Sequence, residues 1–310
     1  MDIFVSLHLT DPQAARLRDI CAEDTLHVHG VFSGDAAMEP SFARCEVVFG
    51  NVPARWLPQS EALRWVQLES VGFGEYRGLD WATLGQRITM TNLAGFFAEP
   101  VAESALAGIL ALLRGVDRFV RLQAANEWVG GPLRAELGTL AGATVVLFGF
   151  GAINQRLAEL LEPFGCTLTP FGRGWTPDRL DEALSSADVV VSTVPETDDT
   201  MGVFDAARLS LLKPSALFVN LGRGSVVDED ALAERLRSGR LGGAVLDVTV
   251  REPLPAEHPF WTCPNTILTQ HTGGGTGDEI DRKIDHFADN LARYRAGEPP
   301  VGVADFEKGY

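Results

Sequence analysis

The 310-residue sequence predicts two doubly wound parallel α/β domains, on three observations. Short apolar strands alternate with helical or polar stretches twice over, once in the first ninety or so residues and again from Thr144 onward. The length suits a prior of about 150 residues per domain, enough for each to bury its own core. A glycine turn, Gly149-Phe150-Gly151, stands between a strand and a helix at the head of the second series.

In the first series, strands are expected at 3–7, 47–49, 65–68 and 88–91, with a helix over 12–22. Residues 99–126 predict one long helix. Leu106, Ile109, Leu110, Leu113, Val116, Phe119 and Val120 recur at helical spacing, and Arg114, Arg118 and Arg121 share the polar face, a solvated surface or a dimer contact. The second series has expected strands at 145–148, 166–171, 189–193, 216–220, 244–248 and 266–268. A helix runs from the glycine turn to about 164, with Gly165 as its stop. A last helix, about 278–296, follows the completed second sheet and is expected to return to the first domain. The domains so drawn are 1–95 plus 276–310, and 96–275.

Composition excludes several classes. With 45% hydrophobic and 22% charged residues the chain is too apolar for disorder. Its longest apolar runs, such as 105–113 and 145–153, fall short of the roughly 20 residues that span a bilayer, and 3–7 is too short for a signal-peptide core. Cys21, Cys45, Cys166 and Cys263 lie far apart with no C-x-x-C pair, so reduced thiols, no metal site and a cytoplasmic location are expected. A net charge of −16 repels a phosphate backbone and argues against nucleic-acid binding. An anionic substrate or phosphorylated cofactor therefore needs locally placed arginines.

The glycine turn continues Gly149-Phe150-Gly151-Ala152-Ile153-Asn154, a G-x-G-x-x-G fingerprint with Asn at its third position. The first Gly permits the turn, and the second lets the amides that open the helix approach a pyrophosphate. The third normally allows close helix-to-strand packing. At the end of the following strand an NAD enzyme has a carboxylate for the ribose 2′-hydroxyl, whereas this chain reads Phe171-Gly172-Arg173-Gly174. No acid repels a 2′-phosphate there and Arg173 can pair with it, so NADP(H) is the expected cofactor, with NAD(H) still possible.

Three further segments follow the carboxyl ends of expected strands, where open α/β sheets bind ligands: Asn220-Leu221-Gly222-Arg223-Gly224, Asp247 to Pro253, and Thr269-Gln270-His271-Thr272-Gly273-Gly274. Through N-x-x-R-G at 220–224, D-V-x-x-x-E-P at 247–253 and the Gln270-His271 loop, the sequence resembles the D-isomer-specific 2-hydroxyacid dehydrogenases along nearly its whole length. Asn92 to Gly95, Val101-Ala102-Glu103 and Pro195 to Thr200 are also similar. The stretch Leu291 to Pro299 and the closing Gly309-Tyr310 look like the glyoxylate/hydroxypyruvate reductase branch. Asn154 and the glycine run after Thr272 depart from the pattern.

The resemblance implies a flavodoxin-like substrate domain and a Rossmann nucleotide domain, and reduction of a small 2-keto acid to the D-2-hydroxy acid. His271 would be the general acid, Glu252 the carboxylate that favours its imidazolium and raises its pKa, and Arg223 the clamp on substrate carboxylate and carbonyl. Cofactor contacts are expected from Gly149, Gly151, Ala152, Ile153, Gly172, Arg173, Pro195, Thr200, Leu221, Gly222, Arg223, Asp247, His271, Gly273 and Gly274. Val71, Gly72 and Phe73 match the family's substrate loop, where glycines let amides converge on an anion, and Phe73 and Phe97 are candidate pocket walls. A homodimer through 99–135 is the implied assembly. Three alternatives stay open: a formate dehydrogenase-like activity, which Glu252 disfavours because the partner there is typically an amide; a nucleotide-sensing corepressor; and a methyltransferase sharing only the glycine loop.

Overall fold

The structure, a computed structural model, describes residues 1–306, so the Gly309-Tyr310 ending lies outside the described residues. The chain divides into two compact units, one of residues 1–96 with 276 onward, the other of residues 97–275.

The first unit holds β1 (Asp2–Ser6), α1 (Asp11–Ile20), β2 (Thr25–His29), β3 (Val47–Gly50), β4 (Trp65–Gln67), α2 (Trp81–Leu84) and β5 (Thr89–Thr91). Its strands form a parallel sheet in the order β2-β1-β3-β4-β5. Side chains alternate across a strand, and the burial follows that period. Phe4, Val48 and Val66 face a core with Trp56 and Tyr76. Ile3, Val5, Val47, Phe49 and Trp65 face the opposite core, which is closed by Ile284, Phe287 and Leu291 of the C-terminal helix Glu279–Arg295. Phe287 stacks on Phe49 with ring centroids 4.3 Å apart. The last helix therefore returns to the first sheet. Strand β2 was not anticipated from sequence: it is a sheet edge, half exposed, and its Thr-Leu-His-Val-His run carries too little apolar signal.

The second unit opens with α3 (Ala98–Leu113), α4 (Val116–Ala125) and α5 (Gly131–Arg134). Its sheet then alternates with helices: β6 (Thr144–Phe148), α6 (Ala152–Leu161), β7 (Thr167–Phe171), α7 (Pro177–Ser186), β8 (Val189–Ser192), α8 (Ala206–Leu211), β9 (Leu217–Asn220), α9 (Glu229–Arg237), β10 (Gly243–Leu246) and β11 (Thr266–Leu268). The order is β11-β10-β9-β8-β6-β7, all parallel, so the chain reverses direction across the sheet between β6 and β8. That switch point is where a doubly wound sheet opens a crevice for ligands. Both faces are covered, as parallel sheets require: Val145 and Leu147 pack with Val101, Ala105 and Leu157, and Val146 and Phe148 with Leu180 and Leu184.

The single long helix expected over 99–126 is two helices. Gly115 adopts φ +64°, a left-handed residue that ends α3 and starts α4 in a new direction. Apolar spacing persists on both sides of the break, so periodicity alone cannot register it. The Leu113 carbonyl accepts from Gly138 N at 2.9 Å, and Arg114 Nη1 donates to the Gly138 carbonyl at 2.8 Å. Among the described residues no helix is long and apolar enough to cross a membrane.

Candidate active site

The candidate site is built where β6, β8, β9, β10 and β11 end. Asn220, the last residue of β9, organises the first loop: its Nδ2 donates to the Arg223 carbonyl at 2.9 Å and its Oδ1 accepts from Gly222 N at 3.2 Å. Two glycines fix how closely this loop lies on its neighbours. A Cβ on Gly222 would stand 2.5 Å from the Val194 carbonyl oxygen, and one on Gly224 would stand 2.0 Å from the Thr249 carbonyl carbon. Backbone thus presses on backbone, and Arg223 is brought beside the segment that carries Glu252. Arg223 Nη1 donates to the Gly222 carbonyl at 2.7 Å, which orients the guanidinium.

Asp247 follows β10 and is 6% exposed. Its Oδ1 accepts from Thr269 Oγ1 at 2.6 Å and from the amides of Thr272 and Gly273 at 3.0 Å each, while its own carbonyl accepts from His271 N at 2.6 Å. Those bonds hold a turn in which Gln270 and His271 both adopt φ +56°, a left-handed conformation disfavoured for residues with a Cβ. Asp247 therefore shapes the loop that presents His271.

His271 Nδ1 donates to Glu252 Oε2 at 2.7 Å, and the other carboxylate oxygen, Oε1, accepts from Thr249 N at 2.9 Å. With Nδ1 committed to the carboxylate, Nε2 is the nitrogen left for a substrate. Burial pushes the Glu252 carboxyl upward, but the hydrogen bonds from His271 and Thr249 and the nearby charges of His271 and Arg223 outweigh it, leaving it below its usual range. Glu229, at the start of α9, accepts from Val250 N at 2.8 Å and steadies the same segment. Arg223, Glu252 and His271 line one cleft of about 390 Å³, with Glu196, Ser225 and Thr249 among its other walls. Ser225 is not singled out by the sequence, and Glu196 only as part of the Pro195–Thr200 segment; Ser225 Oγ donates to the Glu196 carboxylate, a contact between separate loops that spacing does not encode.

The dinucleotide fingerprint separates into a glycine required by the protein and one that leaves room for a ligand. Gly149 has φ +93°, and a Cβ there would stand 2.7 Å from Val194 Cγ1. A Cβ on Gly151 would meet nothing within 4 Å. The absent side chain at Gly151 therefore serves no internal packing, and it opens the approach to the first amides of α6, Ala152 and Ile153, as a pyrophosphate requires. Gly172 is likewise in open space, beside Arg173 on the exposed turn after β7.

Several expected contacts take another form. Phe73 is not a pocket wall: its side chain is 2% exposed and its ring packs edge-on against Phe306 at 5.0 Å in the core of the first unit. Leu221 is buried with the second unit's core, so only its backbone is available to a ligand. The Thr200 hydroxyl donates to the Pro195 carbonyl at 2.7 Å and accepts from Thr197 N at 2.9 Å, closing its own loop. Gly273 is buried against Asp247, Gly274 lies against Phe97, and Phe97 is half-buried beside that core. In the first unit Val71 and Gly72 are exposed, and their loop is fastened by Asn92 Nδ2, which donates to the Val71 carbonyl at 2.8 Å, and by Ser70 Oγ, which donates to the Gly72 carbonyl at 2.7 Å.

Comparison with known proteins identifies the family. The sequence model for the NAD binding domain of the D-isomer specific 2-hydroxyacid dehydrogenases matches residues 106–273. A glyoxylate reductase of Aeropyrum pernix is 33% identical over 270 residues, covering 81% of this chain and 79% of its own. Among solved structures, a D-isomer specific 2-hydroxyacid dehydrogenase of Xanthobacter autotrophicus in complex with NADPH shares the fold at a TM-score of 0.82, with 24% identity over 100% of this chain and 99% of that one. An NAD-dependent formate dehydrogenase of Staphylococcus aureus in complex with NAD is similar at 0.74, with 26% identity over 96% of this chain and 97% of that one. Both nicotinamide cofactors are thus represented among its structural neighbours. With its Asn220-to-Gly224, Asp247-to-Pro253 and His271 segments gathered at the ends of one parallel sheet, the chain belongs to the D-isomer specific 2-hydroxyacid dehydrogenase family, in the branch of the glyoxylate and hydroxypyruvate reductases.

Proposed function

We propose that this enzyme reduces a small 2-keto acid of the glyoxylate or hydroxypyruvate type to the D-2-hydroxy acid, with NADPH preferred over NADH. The observation that carries the reading is the 2.7 Å His271–Glu252 pair lining one cleft with Arg223. The nicotinamide, when bound, supplies the hydride. Arg223, anchored through one nitrogen, retains further N–H donors for the substrate carboxylate and carbonyl oxygen, and so fixes the ketone for attack. His271 delivers the proton to that oxygen from Nε2, and Glu252 stabilises the imidazolium from the other side. Glu252 keeps its charge at neutral pH, which suits this role and not the amide partner of a formate dehydrogenase.

The second unit is assigned as the dinucleotide domain. Gly149, Gly151 and the amides of Ala152 and Ile153 are placed at the pyrophosphate, Gly172 and Arg173 at the 2′-phosphate, and the Pro195–Thr200 loop, Leu221, Gly222, Asp247, Gly273 and Gly274 along the rest of the cofactor. The first unit is assigned as the substrate domain. Among the described residues the amides of Val71 and Gly72 donate to no acceptor, which suits a carboxylate, and Phe73 would contribute only backbone. The free thiols of Cys21, Cys45, Cys166 and Cys263 favour a cytoplasmic setting. Val116, Phe119, Val120, Trp128 and Val129 are exposed together on and after α4, and we assign this surface to a homodimer contact.

The test is oxidation of NADPH and of NADH against glyoxylate, hydroxypyruvate and pyruvate, with formate assayed in the oxidative direction. Turnover of a keto acid with NADPH is the expected outcome. Tight nucleotide binding without turnover of any keto acid would replace the enzyme with a nucleotide sensor.

A further inference from the structure

Asn154 stands where the fingerprint has its third glycine, and its side chain is fully buried beneath the turn. Its Nδ2 lies 3.1 Å from the Gly149 carbonyl, 3.3 Å from that of Phe148 and 3.4 Å from that of Val191 in β8. Three carbonyl oxygens can be met only by N–H, so they also fix which way the amide faces. The Gly149 carbonyl is the hub of the turn. Besides Asn154 it accepts from Gly151 N at 2.9 Å and from Thr193 Oγ1 at 3.0 Å. On the other side of the same amide, Asn154 Oδ1 is buried and, among the described residues, has no hydrogen-bond partner. A buried acceptor without a donor is costly, and a glycine or an apolar side chain would avoid that cost. The donor end therefore explains why an amide suits this position.

We propose that Asn154 is a positioning residue for the cofactor: by tying the Gly149 carbonyl and β8 together from below, with Thr193 gripping the same carbonyl, it holds the turn so that the Ala152 and Ile153 amides meet the pyrophosphate. The third glycine of the usual fingerprint secures its turn by close packing, whereas this chain does so by hydrogen bonds. The inference rests on the dinucleotide reading of this loop.

The test separates the pyrophosphate from the adenosine end of the cofactor. Asn154→Ala and Thr193→Val each remove a donor to the Gly149 carbonyl without adding charge, and binding is measured by NADPH fluorescence and by calorimetry with adenosine 2′-monophosphate, which has no pyrophosphate. Each variant should raise the NADPH Kd by roughly tenfold, the scale of one lost hydrogen bond, and leave the adenosine 2′-monophosphate Kd within about twofold. The KM for NADPH should rise in step while the KM for the keto acid and kcat at saturating NADPH hold. Asn154→Gly, which restores the glycine without the donor, should bind NADPH as weakly as Asn154→Ala. The proposal is overturned if NADPH binding is unchanged in Asn154→Ala, if Asn154→Gly binds as tightly as the wild type, or if both ligands weaken together, which would mean a generally loosened domain. A wild type that binds neither NADPH nor NADH would instead overturn the dinucleotide reading, and this inference with it.

Discussion

Arg223 and Glu252 reach the same cleft because Gly224 leaves no room for a Cβ against Thr249, so their separation is set by backbone contact. A planar bidentate donor is needed where one residue must grip both carboxylate and carbonyl. Arg223→Lys should therefore lower kcat/KM for the keto acid by a hundredfold or more, on the order of 3 kcal/mol of transition-state binding, while the NADPH Kd barely moves. Near-normal turnover in steady-state assays would remove Arg223 from the reaction. Glu252 carries a pH prediction. Because its carboxyl is held below the usual range, it stays ionised as pH falls through that range, and its support for His271 is lost only below it. Glu252→Gln should move the alkaline limb of keto-acid reduction to lower pH, since an amide does not stabilise the protonated ring by charge. A pH profile of unchanged shape would uncouple the pair. These three residues were legible because each belongs to a strand-end segment of definite spacing. Phe73 as a pocket wall does not hold, because a motif gives positions and cannot tell a contributing backbone from a contributing side chain. Asp247 was read as a cofactor contact, and its hold on the left-handed Gln270-His271 turn became visible only with the fold.

At the scale of elements, the second sheet was the more legible of the two, since its central strands β6, β8 and β9 are largely continuous runs of Val, Leu and Phe buried on both faces. The first sheet lost β2 to its polar edge. The helix over 99–126 was overextended for a different reason: one left-handed glycine turns the chain without interrupting the apolar spacing. Gly115→Ala tests that point with a sign that helix propensity alone would get wrong. Propensity favours Ala, but at φ +64° with Leu137 Cδ2 only 2.9 Å from the new Cβ, the variant should lose about 1 to 2 kcal/mol in a denaturant titration. On the proposed reading, the end of β7 selects the cofactor. Arg173→Ala should weaken NADPH by roughly ten- to a hundredfold, as expected for a charge-assisted bond, and leave NADH nearly unchanged. A Cβ at Gly172 would meet nothing within 4 Å, and Gly172→Asp should repel the 2′-phosphate and recover NADH through the ribose hydroxyls. Equal weakening of both nucleotides by Arg173→Ala, in fluorescence titrations, would reduce Arg173 to a solvated loop residue.

For the whole molecule, the two-sheet architecture could be read from the double alternation, whereas the order of strands within each sheet could not, because it depends on which crossover packs where. The charge balance of −16 bears on association as well as on ligands. Like-charged copies repel at long range, so a stable dimer needs an apolar contact strong enough to offset that repulsion, and it should tighten as salt screens the repulsion. The surface on and after α4 has the right character. No residue of this helix is buried, Phe119 and Val120 are 41% and 59% exposed, and Trp128 just beyond it is 97% exposed. Its charges are largely compensated within the chain, Arg118 by Glu136 and Arg121 by Asp117, so the face adds little to the repulsion. Light scattering and sedimentation should find a dimer at micromolar concentration. Val120→Glu would bury an unpaired carboxylate in the contact, costing several kcal/mol and raising the dimer Kd by roughly a hundredfold or more. The same substitution should leave the unfolding midpoint of the isolated monomer almost unchanged, because Val120 is 59% exposed in its own chain. A wild type that remains monomeric at high salt, or a Val120→Glu variant that dimerises as tightly as the wild type, would move the contact elsewhere on the molecule.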